Sequence, residues 1–139
     1  MKATTTLVAV YGSLLEGLGN HRVLGGSPLV CRTRVAGLRL VSLDACPAAL
    51  PGGDGIEVEV YEVNPGILRR LDQLEGYCPD RPEASMYRRE VVQTANGLEV
   101  ETYVWANPAR LRNAPAVPGG DWRAQVEAGA GGYSWRSGR

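Results

Sequence analysis

Two strand-like runs, Tyr87 to Gln93 and Leu98 to Trp105, face each other across Asn96-Gly97. An Asn-Gly pair between such runs favours the positive backbone angles of a tight hairpin. The second half of the chain is thereby committed to an antiparallel strand pair. Within the second run Leu98, Val100, Thr102 and Val104 share one face, by the two-residue period of a strand. Upstream, Leu7 to Tyr11 (LVAVY) is an unbroken apolar run stopped by Gly12, the pattern of a central strand covered on both faces. Ile56, Val58 and Val60 alternate with Glu57, Glu59 and Tyr61 and predict a half-buried strand. Leu29 to Leu43 reads as extended with mixed periodicity, and Cys46 to Gly55 (CPAALPGGDG) as loop and turn.

Helices are few. Asn64-Pro65 supplies an N-cap and a proline at the first helical position, so a helix is predicted over Pro65 to Glu75 with Gly76 as its C′ residue. A short helix is expected near Asn20 to Leu24, and another where Asp121 caps Trp122 to Val126. Strands and helices do not alternate as they do in a doubly wound sheet. The pattern predicts an α+β fold with a mixed or mainly antiparallel, curled sheet and a few flanking helices. With 139 residues and no repeat or linker, the chain reads as one domain over residues 1–126, followed by a flexible tail, 127–139.

Composition excludes several function classes. Fifteen basic residues balance fifteen acidic ones and form no stripe, which argues against nucleic acid and anionic membranes as partners. Cys31, Cys46 and Cys78 are widely spaced, and His21 is the only histidine, so a structural zinc site is not expected. No apolar run approaches the ~20 residues of a membrane span, and the N-terminus lacks signal-peptide features. A cytoplasmic protein with reduced thiols is the resulting expectation, as a monomer or homodimer.

The segment Leu71-Asp72-Gln73-Leu74-Glu75-Gly76-Tyr77 holds an oddity. At about 100° per residue, Ile67, Leu68, Leu71 and Leu74 span an arc of about 120°. Glu75 projects from within that arc, while Arg69, Arg70, Asp72 and Gln73 fill the remainder. Burial raises a carboxyl pKa, and a helix C-terminus disfavours an anion. Such a group is poised to take and return protons near neutral pH. Two bland alternatives stand beside this: the side chain swings into water past Gly76, or it pairs with a cation such as Arg88.

The second candidate is the loop Tyr11-Gly12-Ser13-Leu14, at the end of the first strand. Consecutive N–H groups in a Gly-containing turn can cradle an anion; the competing reading is an ordinary tight turn. Walker A fails because Leu18 and Gly19 stand where Lys and Ser/Thr are needed, and GxGxxG fails at Arg22. Ser13 would need His21 as its base, and a GxSxG elbow is missing. The cysteines read as packing positions. Tyr87-Arg88-Arg89 opens a strand and either faces a ligand or is solvated.

In combination these segments resemble the gamma-glutamylcyclotransferase-like superfamily. Tyr11-Gly12-Ser13-Leu14 is similar to its YGS/TL signature loop, Asn20-His21 to an "NH" pair, and Leu71 to Tyr77 to an "LDxLEGY" segment. Met86 to Arg89, Tyr103 to Trp105 and Gly119 to Trp122 follow in the expected order, so the likeness runs from about Leu7 to about Val126. It is nearest to the gamma-glutamylamine cyclotransferase branch and its small bacterial relatives. The resemblance implies a compact, mixed, barrel-like sheet with flanking helices. It implies Glu75 as the catalytic residue, and Tyr11, Gly12, Ser13, Leu14 and Tyr87 as substrate-binding residues for a gamma-glutamyl compound, with no metal or cofactor. The implied reaction is attack of the substrate's own α-amine on its γ-carbonyl, releasing 5-oxoproline and an amine. Cys46-Pro47-Ala48 departs from relatives that often carry an aromatic before Pro-Ala, which puts the substrate's identity in question. Two rivals remain open: a non-catalytic metabolite-binding module, and a gamma-glutamyl-removing tailoring enzyme of a biosynthetic pathway.

Overall fold

The structure is a computed structural model that describes residues 4–43, 46–78 and 85–129. Its strands are β1 (Thr6–Val10), β2 (Leu29–Val35), β3 (Leu38–Ser42), β4 (Pro47–Pro51), β5 (Ile56–Val63), β6 (Tyr87–Gln93) and β7 (Glu99–Trp105). Helix α1 spans Pro65–Leu74 and α2 Trp122–Glu127, and His21–Leu24 forms a 3-10 turn. Five strands form one sheet in the order β2-β5-β1-β7-β6, while β3 and β4 make a separate ribbon.

The apolar run forms the middle strand. β1 pairs antiparallel with β5 and parallel with β7, and Val8, Ala9 and Val10 are buried. The sheet is therefore mixed, and the fold is α+β. It is not closed into a barrel. Its edge strands β2 and β6 approach at one end, where Val35 bridges Thr94 and the Ala95 N–H donates to the Arg34 carbonyl. One bridge curls a sheet without completing its ladder.

The hairpin β6–β7 forms with register Tyr87↔Trp105 through Gln93↔Glu99. Its loop is Ala95 to Gly97, closed by the Thr94 N–H donating to the Leu98 carbonyl. Two expectations are corrected. Part of the Pro/Gly-rich stretch is the strand β4, whose Ala48, Ala49 and Leu50 are fully buried; β3 supplies its ladder, so composition alone misread it. The alternating strand β5 is buried on both faces along much of its length, because Glu59 and Tyr61 are also covered.

Helix α1 begins as predicted: the Asn64 side chain accepts from the Ile67 N–H, with Pro65 in the first turn. Its buried stripe is rotated from the expected arc. Leu74 is exposed, and Asp72 is buried in its place beside Ile67 and Leu71. Asp72 lies about 40° beyond Leu68 on the wheel. It can be buried because Arg89 and Tyr103 meet its carboxylate. Asp121 caps α2 by accepting from the Ala124 N–H. The part of the expected tail beyond residue 129 lies outside the described residues. Among the described residues no helix is long and apolar enough to cross a membrane.

Candidate active site

The loop after β1 is a tight turn in which the Leu15 N–H donates to the Gly12 carbonyl. Gly12 is required by close approach: a Cβ there would lie 2.8 Å from Pro47 Cδ. Asn20 holds the loop from beyond, donating its N–H to the Ser13 carbonyl and its Nδ2 to Ser13 Oγ, both at 2.9 Å. His21 Nδ1 donates to the Leu14 carbonyl at 2.9 Å. Asn20 meets the Ser13 hydroxyl while His21 is engaged elsewhere, so no Ser–His pair is assembled. The N–H groups of Gly12, Ser13 and Leu14 donate to no backbone carbonyl among the described residues.

A second anchor lies beneath the loop. Glu59 is 2 % exposed. It accepts from the Glu16 N–H, the Tyr61 hydroxyl, Arg32 and Arg123. Arg123 also donates to the Glu16 carbonyl. Burial alone would push the Glu59 carboxyl up, but these donors outweigh it and hold it below its ordinary value.

Glu75 comes to the same place from α1. The helix ends in a Schellman motif: the Gly76 N–H donates to the Gln73 carbonyl and the Tyr77 N–H to the Asp72 carbonyl. That turn needs φ +67° at Gly76, natural only to glycine. The Gly76 carbonyl then accepts from the Met86 N–H, tying the helix end to the start of β6. Arg89 forks onto Asp72 at 3.0 and 3.2 Å, reaches Glu101 at 2.6 Å, and lies over the Tyr77 ring at 5.3 Å. Glu75 is thus flanked by two residues that a single arginine holds.

Tyr11, Gly12, Ser13, Leu14, Glu75 and Tyr87 all line one cavity of about 240 Å³. The other lining residues include Asn20, Cys46, Pro47, Leu74, Met86, Tyr103 and Trp105. Among the described lining residues Glu75 alone carries a formal charge. Its carboxylate has no hydrogen-bond or ion-pair partner among the described residues. Burial pushes its pKa from 4.5 up to about 7. Pairing with Arg88, one of the two bland alternatives, does not occur.

The tyrosine hydroxyls around it are already engaged. Tyr11 donates to the Tyr103 carbonyl at 2.6 Å, Tyr87 to the Pro47 carbonyl at 3.1 Å, and Tyr103 to Asp72 at 2.6 Å. Burial first, and then the Glu75 charge, hold the Tyr87 phenol and the Cys46 thiol in their neutral forms at pH 7; for Tyr11 burial comes first, then Tyr87 and then Glu75. These side chains form walls of the cavity. Among the described residues no cluster of His, Cys, Asp or Glu could hold a metal ion.

Sequence reasoning singled out neither Tyr103 and Trp105 as walls nor Asp72 and Arg89 as supports, while the Cys46-Pro47-Ala48 segment it tied to substrate identity does reach the cavity through Cys46 and Pro47. A signal existed for the first pair. Tyr103 and Trp105 fall on the face of β7 opposite Val100, Thr102 and Val104, and Trp105 is in register with Tyr87, which it meets edge-on at 5.1 Å. Asp72 stands three residues before Glu75, on the same side of the helix.

A mixed sheet whose central strand delivers a glycine turn to a small cavity holding one unpartnered carboxylate describes a class of site, and comparison with known proteins supplies the family. The model of the family "Gamma-glutamyl cyclotransferase, AIG2-like" matches residues 8–124. The Escherichia coli K12 gamma-glutamylcyclotransferase family protein YtfP is 30% identical over 115 residues, covering 83% of this chain and 94% of that protein. A gamma-L-glutamyl-butirosin B gamma-glutamyl cyclotransferase of Niallia circulans is 35% identical over 69 residues, 49% of this chain and 44% of that protein. The crystal structure of an AIG2-like protein from Mus musculus superposes with a TM-score of 0.68 at 27% identity, over 91% of this chain and 93% of the other. An uncharacterized protein from Pyrococcus horikoshii gives 0.71 at 25% identity, over 89% and 96%. The chain belongs to the gamma-glutamylcyclotransferase, AIG2-like, family, and at that level its function is gamma-glutamylcyclotransferase-like.

Proposed function

We propose that the protein cyclises a gamma-glutamyl amide, releasing 5-oxoproline and an amine, with Glu75 as the proton carrier. The observation that carries this reading is the unpartnered Glu75 carboxyl, raised to about 7 in a cavity without another formal charge among its described walls. The nucleophile belongs to the substrate. Its α-ammonium gives a proton to Glu75, the freed amine attacks the γ-carbonyl carbon, and a five-membered lactam forms. The bond from that carbon to the leaving nitrogen breaks as Glu75 returns the proton to it, and the second proton shed by the ring nitrogen departs with the released amine, which leaves as its ammonium. One carboxyl with a pKa near 7 can serve both steps because neither transfer is strongly uphill.

The backbone N–H groups of Gly12, Ser13 and Leu14 hold the substrate's α-carboxylate or the oxyanion that develops on the γ-carbonyl. Tyr11 and Tyr87, their hydroxyls engaged by the protein, contribute rings that confine the glutamyl chain to a folded, near-attack shape. The Niallia circulans relative, named for a conjugated substrate, favours a tailoring variant of the same chemistry in which only the leaving amine differs.

Incubation with a panel of gamma-glutamyl compounds, followed by mass spectrometry for 5-oxoproline, tests the reading. Product is expected from wild type, and a loss of about 10²–10⁴-fold in rate from Glu75→Gln. Binding without product would point to a metabolite-binding module. Equal rates from the two proteins would remove Glu75 from the role.

A further inference from the structure

The cavity that holds Glu75 is small. At about 240 Å³ it lies below the roughly 300–1,000 Å³ of pockets that enclose drug-sized ligands. It suits a glutamyl group, so the leaving portion of a conjugate has to extend past the cavity's edge. Two residues at that edge, Met86 and Trp105, also line a second, more open cavity of about 570 Å³.

The two cavities differ in charge. Arg88 and Arg110 line the second, together with the apolar surfaces of Met86, Trp105 and Ala106, and no acidic side chain is among its described walls. Neither arginine has an ion-pair partner among the described residues, whereas Arg89, next in sequence, is held by Asp72 and Glu101. Strand alternation separates them: Arg89 turns toward the supports of Glu75, and Arg88 turns out into the second cavity. Met86 is 56% exposed, a large apolar side chain that the described residues leave uncovered beside these two cations.

We propose that this second cavity is the leaving-group subsite, and that it takes an amine with an apolar body and an anionic end, such as an amino acid or short peptide with a free carboxylate. The inference rests on the gamma-glutamyl reading of the first cavity. The apolar body lies against Met86 and Trp105, and the carboxylate meets Arg88 and Arg110. A cationic leaving group, such as a polyamine, is disfavoured by the same two charges. The first cavity then reads the γ-glutamyl end through backbone N–H groups, and the second reads the far end through guanidinium groups.

The test uses matched gamma-glutamyl-amino acid conjugates that differ only in a terminal carboxylate or carboxamide. Turnover to 5-oxoproline and calorimetric binding are both measured, for wild type and for Arg88→Gln/Arg110→Gln. Wild type is expected to prefer the carboxylate by about fivefold in kcat/KM, the size two solvent-exposed charge contacts can supply. In the double variant the ratio falls to about one, and in wild type it shrinks as salt rises. Turnover of both conjugates without preference, or a preference that survives the double substitution, overturns the subsite and leaves the cyclisation reading standing. No turnover, but a binding preference that the double variant abolishes, retains the subsite and sinks the cyclisation reading. No turnover and no binding preference sinks both.

Discussion

Glu59 and Glu75 are both carboxylates withdrawn from solvent, Glu59 fully and Glu75 in part, and they are held in opposite ways. Glu59 sits on the central part of β5 with two arginines, a tyrosine hydroxyl and a backbone N–H around it, and its pKa is lowered. Glu75 ends a helix at the wall of a cavity with none of these, and its pKa is raised to about 7. Both adjoin the loop segment that follows β1. Glu59 grips that loop from beneath through Glu16, and Glu75 faces the cavity the loop opens onto. A buried charge whose partners are complete stabilises a geometry. One left without partners retains its capacity to exchange protons, at a cost in stability that the rest of the fold must offset.

Breaking the comparison at Glu75 gives the largest effect. Glu75→Gln is expected to lower 5-oxoproline release by about 10²–10⁴-fold while leaving the fold intact. It also changes stability in a predictable direction. In wild type the folded carboxyl holds its proton more tightly than the unfolded one, which titrates near 4.5. Stability is therefore greatest below that value, falls as pH rises toward about 7, and is flat above, by about 3 kcal/mol in all. Denaturant titrations across pH 4 to 8 should show that slope in wild type and its loss in the Gln variant.

Breaking it at Glu59 should cost stability first. Glu59→Ala leaves Arg123 partly buried beside an unpaired Tyr61 hydroxyl, and about 3 kcal/mol of destabilisation is expected, less whatever solvent returns to the exposed Arg32. The pH dependence has the opposite sign. The folded pKa is depressed, so this stabilisation is present above the ordinary carboxylate range and is lost as pH falls through the folded value. Urea midpoints at pH 7 and pH 4 would read both effects; a neutral Glu59→Ala would mean the four contacts contribute nothing net.

Smaller changes sharpen the contrast by loosening what aims Glu75. Tyr103→Phe removes the hydroxyl that Asp72 accepts and should lower stability by about 1–2 kcal/mol, with a shift in the pH–rate profile that a purely structural role would not produce. Gly76→Ala forces an L-residue to φ +67°, with its Cβ 3.2 Å from Met86 Cβ. A loss of about 1 kcal/mol is expected, together with a fall in kcat larger than any change in KM.

Much of this was legible because local rules and global packing agree. Asn96-Gly97, the LVAVY run, the Asn64-Pro65 start and the Gly76 stop each encode their element through a turn angle, an apolar face or a cap, and each forms where expected. What was misread depends on distant partners. Asp72 looked solvent-facing because nothing near it in sequence announces Arg89 or Tyr103. Pro47–Pro51 looked like loop because its ladder to β3 is invisible to composition. Glu59 looked exposed by alternation because Arg123 is 64 residues away. The expected barrel-like sheet is curled but not closed, because β2 meets the chain just past β6 through a single bridge, Val35 to Thr94. The oddity at Glu75 was legible for the opposite reason: it is a conflict inside one short helix.

The opposed protonation of the two carboxylates can be measured directly by carbon-13 NMR titration of the glutamate carboxyls, assigned with Glu75→Gln and a conservative Glu59→Gln. The account predicts one carboxyl titrating near pH 7 that vanishes in the first variant, and one titrating below 4.5 that vanishes in the second. A Glu75 carboxyl titrating near 4.5, indistinguishable from a solvated glutamate, would contradict it.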